Sequence, residues 1–191
     1  MLERFNARIA ALATGRNVLL LLVAALGVFA LFGVWLVPAF QAVTGGRYPV
    51  DLAFPITPAV IRAEYAHYGA ESIRLYHQFV VVDFIWPPLL AAWSALAWAW
   101  LARRTTSTLP ARMIAAGALL LPFAEALLDL TENVGFLALL AAYPGDPPGL
   151  AVATSVARAA KLVVYALCWL VLIMFAGLAM ARPARADVGL C

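Results

Sequence analysis

Glu125, Asp129, Glu132 and Asn133 all fall inside one apolar run, Leu119 to Tyr143. At about 100° per residue they occupy a wedge of roughly 100° on one helix face, together with Pro122 and Phe136. The opposite face is Leu and Ala, which suits lipid or a packed neighbour. A charged side chain at mid-membrane costs at least about 2.5–3.5 kcal/mol. Three carboxyls in two turns therefore have a purpose, either in holding a bundle together or in acid/base chemistry. Asp129 and Glu132 are the candidate proton-handling pair, and Asn133 is placed to orient a ligand or a partner carboxylate.

The candidate partners come from two other apolar runs. Asp83 lies two turns into Leu75 to Leu101, just ahead of Trp86-Pro87-Pro88, whose tandem prolines predict a kink and a freed carbonyl near Asp83. Thr154, Arg158, Lys161, Tyr165 and Cys168 share a face in Leu150 to Ala181. Measured at ~1.5 Å per residue from the outer helix ends, Asp83, Asp129, Glu132, Asn133, Arg158 and Lys161 reach a common depth in the outer half of a bilayer. Glu125 lies deeper, and Arg74 stands at the mouth. Four carboxyls then face two cations. An uncompensated negative charge in low dielectric is costly, so at least one carboxyl of the set is expected to hold its proton at neutral pH. The same residues also fit a structural role, with pairs such as Asp83–Arg158 and Glu132–Lys161 joining helices. Measured intramembrane polar contacts average only about 0.6 kcal/mol.

Composition defines what must position these groups. The chain has 191 residues, 65% of them hydrophobic and 12% charged, with a mean hydropathy of +0.93. That is the composition of a polytopic membrane protein with room for one small bundle. The net charge of +3 is a topology signal rather than a nucleic-acid footprint, because most arginines flank apolar runs. The expected fold is all-α: a four-helix membrane bundle with spans at about 17–37, 75–101, 113–143 and 154–181. Residues 1–16 carry Leu2, Phe5, Ile9 and Leu12 at helical spacing, an amphipathic helix expected to lie flat on the cytoplasmic surface. Residues 38–73 form the outer loop. There Thr57-Pro58 starts a helix expected to run to Tyr68, with Gly69 as its cap. In that loop Arg47, Arg62 and Arg74 are offset by Asp51, Glu64 and Glu71. Arg4, Arg8 and Arg16, then Arg103, Arg104 and Arg112, then Arg182 and Arg185 fall on one side. The positive-inside rule makes that side the cytoplasm and puts both termini there. The first span carries no ionisable residue and reads as a structural wall. Cys168 and Cys191 give neither a disulfide framework nor a metal spacing.

The run Asp51, Tyr68-Gly69, Arg74, Tyr76, Asp83 and Pro87, then Asp129-Leu-Thr-Glu132-Asn133, then Lys161 resembles an uncharacterised family of small bacterial four-span proteins. That resemblance implies the fold and no reaction. In layout the chain is also similar to emopamil-binding, sterol-isomerase-type (EXPERA) proteins, which pair a helical first outer loop with an acid just before a proline on the second span. Asp83 and Pro87 stand at those positions. That likeness implies a buried acidic pocket for sterol-like amphiphiles, although the first span here lacks a counterpart acid.

The expectation is thus a multi-pass protein of the bacterial inner membrane whose partners are lipids and a hydrophobic or lipid-like small molecule. Its polar pocket would bind that molecule and could process it by acid/base chemistry. Lys161 and Arg158 would tune the carboxyls or meet an anionic group, and Tyr165 would be a wall or a catalytic hydroxyl. No cofactor, metal or nucleic acid is expected. A proton- or ion-coupled subunit and a scaffold held by buried charge are the other readings.

Overall fold

A computed structural model describes residues 1–181 except 146 and 148. Arg182, Arg185 and Cys191 lie outside the described residues, so their part in the charge pattern rests on sequence alone. Among the described residues the chain is all-helical, with no strand. Three helices are long and apolar enough to cross a membrane, and a bent pair raises the count to as many as four.

The first is α2 (Gly15–Leu31), continued through a π-helical turn (Phe32–Leu36) into α3 (Val37–Thr44). Thr14 caps its start by accepting from the Asn17 N–H at 3.2 Å. Gly45 ends it in the left-handed region, at φ 69°. The widened turn lies just ahead of Pro38, which has no N–H for the carbonyl of Val34 and whose ring crowds it. Its 30 residues extend beyond the 17–37 expected, for about 45 Å.

The second candidate span is two helices, α5 (Ala70–Asp83) and α6 (Trp86–Ala102), broken at Phe84-Ile85. Pro87 and Pro88 cannot donate to the carbonyls of Asp83 and Phe84, so the break falls where the sequence places it. The third is the bent pair. α7 (Leu109–Ala115) turns by 65° into the helix that ends as α8 (Leu121–Ala142). The bend, which hydropathy alone does not reveal, sits at Gly117, whose φ of 101° suits glycine. The fourth is α9 (Leu150–Met180), a single apolar helix of 31 residues.

α8 packs along α9 and α6, and α6 in turn packs along α2. α6 also meets α9, so it stands between α2 and the α8–α9 pair. Gly135 of α8 lies tight against α9, where an added Cβ would sit 2.3 Å from Thr154 Oγ1. That contact sets the register of the two antiparallel helices. Three residues on from Gly135, Glu132 comes level with Arg158, and a turn further Asp129 comes level with Lys161.

α1 (Leu2–Leu12) carries the apolar stripe of the N-terminal segment, with Leu12 exposed. Phe5 and Ile9 pack against the cluster around Trp98 and Phe175, and the Asn6 side-chain N–H₂ donates to the Ile114 carbonyl at 2.9 Å. Arg103 donates to the Ala10 and Ala13 carbonyls at the α1 C-terminus, neutralising that end of the helix dipole. In the outer loop, α4 (Pro58–Tyr65) ends three residues early, and Gly69 caps the start of α5 in extended conformation. Thr57 caps α4 as the sequence predicts, accepting from the Val60 N–H.

Candidate functional site

The polar wedge of α8 faces inward: Glu125, Asp129, Glu132 and Asn133 are all buried, while Leu127 and Val134 on the other side are exposed. Register with α9 turns this wedge into an ion-pair ladder. Glu132, with no solvent exposure, takes Arg158 Nη1 on one oxygen at 2.6 Å and Lys161 Nζ on the other at 2.5 Å. Lys161 also meets Asp129 at 3.1 Å. Arg158 reaches up to the loop between α3 and α4 and donates to the Ala53 carbonyl at 3.3 Å. Of the two pairs suggested by sequence, Glu132–Lys161 forms. Arg158 goes to Glu132 rather than to Asp83, because the Gly135–Thr154 contact brings α9 against α8 at this level.

The outer loop is fixed over this ladder by three tyrosines. Tyr65 Oη donates to the Phe136 carbonyl at 2.8 Å, Tyr68 Oη accepts from the Val50 N–H at 2.9 Å, and Tyr76 Oη donates to Asp51 Oδ1 at 2.6 Å. Their rings pack with Phe40 and Phe79 into one aromatic cap. Burial pushes the Tyr65 phenol up, so it remains a donor. The cap carries Asp51 inward to face Asp83, a placement that sequence reasoning missed when it counted Asp51 as an ordinary loop charge.

Burial, and next the Asp83 carboxylate, push Asp51 from an ordinary 3.8 to about 8, while the Tyr76 hydrogen bond and Lys161 act the other way and Glu132 adds to the rise. The folded state therefore favours the protonated acid. Its contribution to stability is complete below about pH 4 and is lost as pH rises through about 8. Asp51→Asn keeps an acceptor for Tyr76 and removes the titration. It is expected to leave the melting temperature at pH 4 unchanged and to raise it at pH 9. Parallel melting curves for wild type and variant across that range would show that Asp51 is not the group.

Beneath the cap lies a cavity of about 440 Å³. Asp51, Asp83, Glu125, Asp129 and Lys161 form its polar side, with Tyr165 beside them. Phe29, Phe32, Gly33 and Val37 of the first span, together with Phe79 and Trp86, form an apolar wall. The first span is thus one face of the cavity as well as a structural wall. Phe29, Leu162 and Tyr165 line the cavity yet keep substantial exposure, so it opens sideways between α2 and α9.

Asn133 and Arg158 sit behind the cavity rather than on it. The Asn133 Nδ2 is buried without a hydrogen bond of normal geometry, and its amide still interacts with the Asp83 carboxyl. Arg74 is not part of the assembly: it pairs with Glu71 at 2.6 Å on the exposed start of α5. Among the described residues no group of His, Cys, Asp and Glu is arranged to hold a metal.

Fold and site together define an all-helical membrane protein, with three to four candidate spans and buried charged residues joined in ion pairs. No family model matches the chain, and neither a curated protein nor a solved structure matches it.

Proposed function

We propose that this protein binds a hydrophobic or lipid-like small molecule in the cavity between its first and fourth spans, as a multi-pass protein of the bacterial inner membrane. The observation that carries the reading is the cavity itself. Its volume is in the range of small-molecule sites, and it combines an apolar wall with a few convergent polar groups. The sideways opening suits a ligand that arrives from the hydrocarbon. With both termini cytoplasmic by the positive-inside rule, the cavity falls in the outer half of the bilayer.

Roles divide by pairing. Asp129 and Glu132 are held by Lys161 and Arg158, so they anchor the polar wall. Asp83 and Glu125 line the cavity without an ion pair among the described residues. Any proton transfer to or from the ligand falls to them, which shifts that work from the Asp129–Glu132 pair first suggested by sequence. A relay through the bilayer would need polar groups continuing past Glu125. The space there, about 10 Å³, is walled by Leu90, Trp93, Trp169 and Leu172, and beyond Glu125 its polar side chains are Ser94, Tyr165 and Cys168, with no further carboxyl or amine among the described residues.

Photolabelling tests the reading. A diazirine-bearing long-chain alcohol, activated in membranes containing the protein, is expected to label peptides carrying Phe29 and Leu162, and excess unlabelled alcohol should compete. Labelling spread evenly over lipid-exposed residues such as Val23 and Ile173, without competition, would remove the cavity as a binding site.

A further inference from the structure

The charges around the cavity do not balance, and the imbalance defines what its occupant must carry. Among the described residues four carboxyls line it, those of Asp51, Asp83, Glu125 and Asp129, against one lining cation, Lys161. Lys161 is already engaged twice, by Asp129 and by Glu132. Arg158, behind it, is spent on Glu132 and the Ala53 carbonyl. An anionic head group entering here would meet carboxyls and no unspent cation.

A donor-bearing head group meets the opposite situation. Asp51 Oδ2 is buried without a hydrogen-bond partner, on a cavity-lining residue only 6% exposed. Leaving such a buried polar atom unmet is costly, and a cation brought against it would displace the proton that Asp51 otherwise holds. Asp83 and Glu125 make no ion pair among the described residues. The facing wall presents the rings of Phe29, Phe32 and Trp86, which attract cations as well as hydrocarbon. The volume far exceeds that of a bare metal ion.

We infer that the occupant is a hydrophobic organic cation, such as a protonated amine, with its N–H donors on Asp51 and Asp83 and its body against the Phe29–Trp86 wall. The inference rests on the cavity being a ligand site, and it adds the charge of the ligand. It commits to a cation over a neutral or anionic amphiphile of the same length.

Three labelled probes of equal chain length test it: decylammonium, decanol and decanoate. Each is equilibrated at pH 7 with zwitterionic nanodiscs that contain the protein or lack it, and the excess bound by protein is measured. Decylammonium is expected to show excess binding stronger by roughly tenfold or more than the other two. Asp83→Asn should remove that preference, and Gly33→Trp, which puts a bulky side chain at a cavity-lining position, should remove the excess itself. An added Cβ at Gly33 meets nothing within 4 Å, so the substitution starts without a clash. Glu125→Gln, at the other lining carboxyl without an ion pair among the described residues, provides the same charge test should Asp83→Asn fail to assemble. Decanol bound as well as decylammonium, with both lost in Gly33→Trp, would overturn the cationic occupant and keep the ligand site. Decylammonium excess that persists in Gly33→Trp would place the binding elsewhere and overturn the inference. No excess for any probe would overturn both.

Discussion

Glu132→Gln is expected to destabilise the protein by about 3 kcal/mol or more, the cost of leaving a buried charge without its partner. Glu132 has no solvent exposure and holds two cations, Arg158 at 2.6 Å and Lys161 at 2.5 Å. Glutamine keeps the shape and a neutral acceptor but removes the charge that faces the Arg158 guanidinium, whose other acceptor is the Ala53 carbonyl. Lys161 retains Asp129, so the loss should concentrate on Arg158. Combining Glu132→Gln with Arg158→Met is therefore expected to recover most of the stability, because the orphaned charge is gone. A thermal or denaturant cycle in detergent measures this. Losses that simply add in the double variant would mean that the two side chains are not coupled.

The second large effect belongs to Gly135. Gly135→Ala would place its Cβ 2.3 Å from Thr154 Oγ1, 3.0 Å from Cγ2 and 3.1 Å from Cβ. No single rotation of Thr154 relieves all three, so α8 and α9 must move apart, at roughly 1–3 kcal/mol for the overpacking alone. The separation would also stretch the Glu132–Arg158 pair one turn away. Thr154→Ala removes the two nearer atoms and should rescue much of the loss. Gly135→Ala with wild-type stability, or a loss that Thr154→Ala leaves untouched, would show that this contact does not set the register.

The sequence is most legible where the membrane makes errors expensive. Carboxyls placed on one face of an apolar helix have few alternatives to facing inward, and α8 follows that rule from Pro122 to Phe136. The Pro87-Pro88 break and the Thr57 cap are equally local and equally readable. What could not be read depends on contacts between distant segments. Asp51 sits in a loop, where an acid ordinarily faces water. Its burial needs Tyr65, Tyr68 and Tyr76 to fix the loop against α8 and α5. Phe29, Phe32 and Gly33 look like any apolar span until the gap between α2 and α9 makes them a cavity wall. The stripe on α1 has the pattern of a membrane-surface helix, and only the packed structure shows that Phe5 and Ile9 meet the Trp98–Phe175 cluster. Gly117 resembles many glycines of apolar helices, and its bend depends on a φ that no pattern encodes.

The most direct test of the ligand cavity is native mass spectrometry of the protein released from purified membranes, wild type beside Gly33→Trp. Both proteins should fold alike, because the new side chain enters open space at Gly33. The account predicts a hydrophobic small molecule retained on the wild type and absent from Gly33→Trp at matched purity and melting temperature. The same bound masses in both proteins, or none in either, would contradict it.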